Sequence, residues 1–357
     1  MIYSKVFNMS QKNMIPIIMD SNFTRLAVID DFISFIWTTR FYTSGDFELC
    51  ADISRVELLQ AGNYVIRKDD NHVGIIEVVK YQRNEEFQEM VVVSGRFLPA
   101  ILSRRIISTQ TQVSGLISEC IKTLIDENVM NPSVSARQIS ELSFSSSVTS
   151  TEEMDAQYTG ENLLDTISQI CETYSIGFDC VLTSDNQFAF SLYEGVDRSY
   201  NQSVNPYVVF SDLYDNLLSS EYDEDQQSYV TDVLVGGEGE GTSRTMVWTA
   251  KDSQSGLDRY ETFLDASSAV SNDKIITQET YEKQLEGLGL EQVTTYTTAF
   301  SGEVDFTNVE LGTDINVGDI CVIENSRWGI FINSRLVEAI ESVGEDGAYS
   351  AFPTFGT

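Results

Sequence analysis

The sequence predicts an α+β fold that is predominantly β, with barrel-type domains and a helix-plus-hairpin unit between them. Three observations carry that expectation. Strand-length runs of β-branched and aromatic residues recur about every 8–12 residues in the first 110 positions, with turn signals between them. Helical periodicity is confined to a few short stretches. The composition supports a real core: 42% hydrophobic and 11% aromatic residues over 357 positions, with only 5 prolines. A chain of this length is expected to form two or three domains, read here as 1–110, 111–205 and 206–357.

The first segment reads as an antiparallel barrel or sandwich. Met14–Met19 and Phe32–Tyr42 have strand composition, Ser44–Gly45–Asp46 is a turn, and Phe47–Ala51 follows. Tyr64–Arg67 and Val73–Tyr81 flank the turn Asp69–Asp70–Asn71, and Phe87–Ser94 closes the series. Phe97–Ile107 is expected as a short helix carrying a basic ridge at Arg104 and Arg105.

The second segment reads as helix plus hairpin. Leu116, Ile117, Cys120, Leu124 and Ile125 share one helical face within 114–127. The Ser- and Thr-rich stretch 128–157 reads as loop. A second helix is expected over Glu161–Glu172, entered through Gly160 with an acidic first turn. Gly177–Leu182, the turn Thr183–Asn186 and Phe188–Tyr193 then form a hairpin.

The third segment returns to β structure through Val208, Leu217–Tyr222, Tyr229–Gly236 and Thr245–Thr249. A helix is expected over Gln278–Leu288, then strands at Val293–Phe300, Ile320–Ile323, Ile330–Asn333 and Arg335–Ile340. No internal repeat or heptad run is visible.

Charge narrows the function. There are 55 Asp and Glu against 22 Lys and Arg, a net of −33. Sequence-specific binding of exposed nucleic acid needs a basic footprint, and anionic lipid repels such a surface. The charge is also uneven. Residues 1–110 carry 12 basic and 13 acidic side chains, whereas 111–357 carry 10 and 42. Two environments are implied, one balanced and one of nearly a single sign.

The five cysteines, Cys50, Cys120, Cys171, Cys180 and Cys321, lack CxxC spacing and read as buried thiols. Met1–Asp20 lacks the pattern of a signal peptide, and no run is long enough to serve as a membrane anchor. These features suit a protein made in a reducing cytoplasm.

Catalytic chemistry finds little support. The one histidine, His72, lies in the turn after Asp70 and reads as a surface residue. No GxSxG elbow accompanies it. Asp223–Glu224–Asp225 and the set Glu152, Glu153 and Asp155 lack EF-hand spacing and read as solvated charge. Gly236–Gly241 has two glutamates between its glycines and no lysine, so it reads as a flexible loop rather than a phosphate cradle. Arg96, Arg104 and Arg105 could contact an acidic neighbour, including another copy of the chain. Trp37, Trp248 and Trp328 are dispersed and read as core or interface residues. The expectation is no catalytic, cofactor-binding or metal-binding residue, and no cofactor.

Several segments occur together in a recognisable order. They are Gly45-Asp-Phe-Glu-Leu49, Leu58-Leu-Gln-Ala-Gly-Asn63, Gly74-Ile-Ile-Glu77 and Val93-Ser-Gly-Arg-Phe-Leu-Pro-Ala-Ile-Leu-Ser-Arg-Arg-Ile106. Glu161-Asn-Leu-Leu164, Leu192-Tyr-Glu-Gly-Val-Asp-Arg-Ser199, Val317-Gly-Asp-Ile320 and Arg335-Leu-Val-Glu338 follow. In this order, over roughly residues 14–345, the chain resembles the hub-like tail-tip proteins of siphoviruses and related prophages. These are similar to phage baseplate hub proteins and to the N-terminal part of tail-associated lysin proteins.

The resemblance implies a homotrimer that closes the distal end of a tail tube in the virion. Two barrel-like domains per subunit would mimic the hexameric tube around a channel for DNA. Its implied partners are further copies of itself, the distal tail or tube protein, the tape measure protein, and spike or fibre proteins. Nothing in the 357 residues reads as an appended hydrolase, repeat or fibre domain, so the expected role is structural. The alternative is a tail protein that binds or cleaves host cell-wall carbohydrate. A peptidase is the third reading, weakened by the lone turn histidine.

Overall fold

A ten-stranded sheet draws together strands from both ends of the chain. The computed structural model describes residues 14–85, 87–217, 219, 221–225, 227–268, 277–294, 297–301, 309–345 and 347–356. From the N-terminus come β1 (Pro16–Met19), β2 (Arg25–Val28), β3 (Ser34–Arg40), β4 (Asp46–Asp52), β5 (Tyr64–Arg67), β6 (Val73–Ile75), β7 (Val78–Arg83) and β8 (Glu89–Arg96). The middle holds β9 (Thr111–Leu116), α1 (Ile117–Ile125), β10 (Leu142–Ser146), β11 (Glu153–Tyr158), α2 (Leu163–Thr173), β12 (Gly177–Leu182) and β13 (Phe188–Tyr193). The remainder holds β14 (Val209–Ser211), β15 (Glu221–Asp225), β16 (Asp232–Gly236), β17 (Met246–Ala250), β18 (Glu261–Asp265) and α3 (Gln278–Leu290). It ends with β19 (Thr297–Ser301), β20 (Ile320–Asn325), β21 (Ile330–Gly344) and β22 (Tyr349–Gly356). Strands dominate, and the fold is α+β with β in the majority, as the sequence predicts.

The main path of the large sheet is β15-β19-β22-β21-β3-β4-β8-β7. Every neighbouring pair along it is antiparallel. Strand alternation explains its core. Phe35 and Trp37 of β3, Phe47, Leu49 and Ala51 of β4, and Val91 and Val93 of β8 point to one side and are buried together. The small sheet β2-β1-β5-β6 contributes Ile18 and Val65 to the same cluster.

The middle segment packs α1 and α2 with β9, β11 and the sheet β10-β13-β12. In β13, Phe188, Phe190 and Leu192 are buried and alternate with half-buried residues. The side chain of Asn162 caps α2, accepting from the backbone N–H groups of Leu164 at 3.0 Å and Asp165 at 3.4 Å. Beyond it, α3 lies on the sheet β17-β16-β18 and buries Tyr281 and Leu285 against Val233 and Val235.

Several elements differ from the sequence reading. The stretch 128–157 is not all loop. It contains β10 and β11, and a π-helical turn extends α1 over Asp126–Met130. β10 buries little beyond Leu142 and is held by parallel backbone pairing to β13, which side-chain pattern does not announce. Residues 73–81 split into β6 and β7 as the chain passes from the small sheet to the large one, where the Glu77 N–H bonds the Ser94 carbonyl at 3.0 Å. The basic ridge over 97–107 is instead a 3-10 helix, Leu98–Arg104, with Leu98 to Leu102 buried. The two runs 330–333 and 335–340 are parts of the single strand β21. β22 contains Pro353, which lacks a donor N–H; among the described residues β22 meets β19 only at the neighbouring Thr354 and Phe355. The expected strands at 217–222 and 293–300 and the first residues of 1–110 fall partly outside the described residues. Among the described residues no helix is long and apolar enough to cross a membrane.

Candidate functional site

Two features combine distant parts of the sequence: a charged junction and the open face of the large sheet. The junction is a cleft of about 470 Å³. Its charged lining includes Arg40, Arg67, His72, Asp179, Asp319 and Glu341.

Arg67 leaves β5 and is nearly fully buried. Its guanidinium donates to Glu341 of β21 at 2.9 Å and to Asp69 at 2.8 Å, and lies 5.9 Å from the centre of the Trp37 ring. The Tyr349 hydroxyl donates to Glu341 at 2.9 Å. A buried arginine is tolerated here because carboxylates meet its donors in a fork geometry.

His72 is not a free surface residue. Its Nδ1 meets Asp70 in its own turn, and its Nε2 lies 3.2 Å from Asp179 on β12. Its ring stacks on Phe97 at 5.2 Å. The Trp37 indole donates to Asp70 at 2.9 Å. Burial works against a charged imidazole, but the facing charges of Asp179 and Asp70 raise its pKa well above the ordinary value. Burial likewise works against an ionised Asp70, while His72 holds that carboxyl below the usual carboxylate range. An imidazolium between two carboxylates is a clasp, and it is not a ready proton acceptor at neutral pH.

Asp319 forms the third part. It accepts from the Val196 N–H at 2.8 Å, Arg198 Nε at 2.8 Å and the Asn316 N–H at 3.1 Å. Gly195 lies against Gly318 so closely that a Cβ at Gly195 would come within 1.7 Å of the Gly318 carbonyl oxygen. The sequence segments 192–199 and 317–320 are therefore two sides of one joint. Arg335, from a third such segment, donates to the Gly318 carbonyl at 2.5 Å and covers the Phe41 ring at 4.9 Å. Sequence reading missed Asp179, Asp319 and Glu341. Their only signal was that the segments containing or bordering them stood out.

The sheet face opposite the core cluster is lined differently. Paired residues in an antiparallel ladder share a face, so Asp46, Glu48 and Asp52 align with Arg96, Ser94 and Met90. Lys80 of β7 pairs with Val92 on that same face. Across the sheet, Glu338 of β21 pairs with Arg40 and Thr354. Glu221 and Asp223 of β15 fall on this face through the ladder Glu221, Ser301 and Thr354. Arg40 is paired with Asp46 and, at 2.6 Å, with Glu338.

The other sequence candidates have ordinary settings. Arg96 pairs with Glu77 at 2.9 Å, and Arg105 Nε donates to the Arg137 carbonyl at 2.8 Å. Both partners lie within the chain. Glu153 and Asp155 line β11 without forming a clustered site, and among the described residues no group of three His, Cys, Asp or Glu is placed to hold a metal ion. The loop after Gly236 is tied down. Arg244 donates to the carbonyls of Gly236 and Gly237, each at 2.9 Å, and the Glu238 N–H donates to the Tyr281 hydroxyl. All five cysteines are buried and free, and burial pushes the thiol of Cys120 up to about 11. Trp37 is core, whereas Trp248 is 47% exposed on β17 and Trp328 is 51% exposed after β20.

Comparison with known proteins agrees with this architecture. No curated protein matches the chain at a significant level. Among solved structures, the tail protein from Neisseria meningitidis MC58 is 13% identical, with a TM-score of 0.58 over 97% of each chain. Prophage tail protein gp18 from Listeria monocytogenes EGD-e is 12% identical, with a TM-score of 0.57 over 96% of this chain and 94% of its own. The 43 kDa tail protein of prophage MuSo2 from Shewanella oneidensis is 12% identical, with a TM-score of 0.55 over 96% and 98%. At such identity the likeness speaks for the fold. Family membership comes from the sequence: the model of the siphovirus ReqiPepy6 Gp37-like proteins matches residues 15–357, and the chain belongs to that family.

Proposed function

We propose that this tail protein is a structural hub subunit at the virion tail tip. In this reading three copies form a ring that closes the distal end of the tail tube and joins it to the spike or receptor-binding apparatus, with a channel for DNA. The observation that carries it is the eight-strand path. Its two halves, β3-β4-β8-β7 and β15-β19-β22-β21, each contribute four strands and join at β3 and β21. Two such halves per subunit suit a trimer facing a sixfold tube. Family membership and the fold shared with tail proteins support the same reading.

The segments 1–110, 111–205 and 206–357 then act as a tube-mimicking unit, an insert and a second tube-mimicking unit. The open sheet face lines the channel, and its acids keep the like-charged genome from adhering. The clasp at His72, Arg67 and Asp319 holds the units in place and performs no turnover. Partners are further copies of the chain, the distal tail or tube protein, the tape measure protein and the spike or fibre proteins. Mass photometry of the chain co-expressed with its tail neighbours tests this. A ring of three is expected, and a chain that stays monomeric beside those neighbours removes the reading.

One observation bears on the carbohydrate alternative. Trp248 and Phe263 both pair with Leu234, forming an exposed row across β17, β16 and β18. Arg259 lies 4.8 Å from the Trp248 ring centre and Arg244 lies 5.4 Å from that of Phe263. Those guanidiniums occupy ring faces on which a sugar would stack. Saturable binding to purified cell wall, lost in Trp248→Ala, would favour the carbohydrate reading.

A further inference from the structure

The sheet β17-β16-β18 and α3 make a unit with its own core of Val233, Val235, Tyr281 and Leu285. Among the described residues none of its three strands pairs with another sheet. The unit rests on the middle segment along one stripe of α3, where residues 284, 287, 288 and 291 follow at helical spacing. Gly287 meets β11 so closely that a Cβ there would come within 2.3 Å of the Asp155 carbonyl oxygen. Leu288 packs against both the core of the unit and that of the middle segment. Glu291, just past the helix end, is half-buried, and its carboxylate accepts from the buried Tyr158 hydroxyl of β11. Its backbone carbonyl accepts from the Gln169 side chain of α2 at 3.4 Å. Lys251 adds one more tie, donating to the Thr173 carbonyl at 2.8 Å. The seam is polar and incompletely satisfied. Gln284 is buried, and its Oε1 finds no partner among the described residues. An unmet buried acceptor lowers the cost of separating the two surfaces.

We infer that this unit is a latch, docked on the middle segment while Glu291 keeps its proton and lifted off β11 once that proton is lost. The inference goes beyond the hub reading and does not depend on it. The groups around the carboxyl set its sense. Tyr158 comes from β11, Glu161 from the turn before α2 and Tyr174 from the end of α2, and Cys120 of α1 borders the two tyrosines. On α3 itself Lys283 faces Asp155 and pairs with Glu279 at 3.2 Å, while Lys251 is engaged at Thr173. Among the described residues no cation pairs with Glu291. Loss of its proton therefore leaves a carboxylate near Glu161, with one phenol hydroxyl to meet it. Lifting off returns that charge to water. Burial holds the docked carboxyl up at about 7, with Glu161 adding and Tyr158 opposing, against an ordinary value of 4.5. An acid that holds its proton more tightly docked than free favours the free form as pH rises. With those two values the equilibrium moves toward release about 70-fold between about pH 5 and pH 8. A unit with its own core, held by one helix stripe, is the two-state element such a change can bias.

The test uses the full chain carrying Leu288→Cys, whose thiol sits in the seam and opens to a maleimide when the unit lifts off. Its labelling rate is divided by that of the same thiol in the denatured chain at the same pH. That ratio is expected to rise about 70-fold from about pH 5 to pH 8. With Glu291→Gln in the same chain the rise should stay below about threefold. The five native thiols, all buried, should remain unlabelled throughout. Spin labels at Glu153→Cys and Glu286→Cys, exposed positions on the two facing elements, give a second reading that leaves the seam intact. A longer separation is expected to grow in at about pH 8 and to vanish in Glu291→Gln. A labelling ratio independent of pH, or a rise that survives Glu291→Gln, overturns the inference. So do native thiols that label in step with the probe, because that marks global unfolding.

Discussion

His72 shows how much one side chain's role depends on its neighbours. As a turn residue it is unremarkable, yet Asp179 reaches it from β12 and ties two segments far apart in sequence. Its folded pKa is raised, so its contribution to stability is full below the unfolded value of about 6.5 and is lost as pH rises through the folded value. The thermal midpoint is therefore expected to fall on the alkaline side. His72→Asn should flatten that limb and cost about 2 kcal/mol at pH 6.5. Chemical denaturation across pH checks both effects. An unchanged alkaline limb in the variant would exclude the clasp.

Glu291, at the end of α3, poses the converse case. Burial pushes its carboxyl up to about 7, the hydrogen bond from the Tyr158 hydroxyl opposes this, and Glu161 adds to the rise. An acid raised in the folded state stabilises below its unfolded pKa and loses that contribution as pH climbs through about 7. Glu291→Gln is expected to leave stability near pH 3.5 almost unchanged and to raise it by about 3 kcal/mol at about pH 8. Equal effects at both values would contradict the assignment.

At the scale of elements, the joint between 192–199 and 317–320 depends on backbone approach. Asp319 satisfies two backbone donors and an arginine, while Gly195 leaves room for the Gly318 carbonyl. Gly195→Ala is expected to cost about 3 kcal/mol, because the obstacle is backbone that cannot swing aside. A thermal shift assay would register this, and a near-neutral variant would show that the close approach is not needed. Gly45 obeys the same logic, with the Thr38 carbonyl and the Phe97 ring in the space of its Cβ. Both glycines stood in segments legible in the sequence, but the reason for them did not. The hairpin at 177–193 was readable because its pattern is local. β10 and β22 were not, because backbone ladders hold them and side-chain alternation is weak.

For the whole molecule, the net charge of −33 becomes a question of placement. In the proposed ring, Asp46, Glu48, Asp52, Glu221, Asp223 and Glu338 share the open face with Arg40, Lys80 and Arg96. An electronegative lumen is expected from a map of the assembled tail tip. A neutral or basic lumen would refute that placement without touching the ring.

Read alone, the chain of residues carries the β-rich class, the helix-and-hairpin middle, the family resemblance and the split between a balanced first third and an acidic remainder. These follow from composition and local period. Folding alone reveals that β3 pairs with β21 across about 300 positions of sequence, that Arg67 meets Glu341, and that His72 meets Asp179. No local pattern encodes which distant strand fills a given edge or which carboxylate meets a buried cation. The charge asymmetry was visible from the start, but only strand order brought a basic and an acidic strand to opposite ends of one sheet.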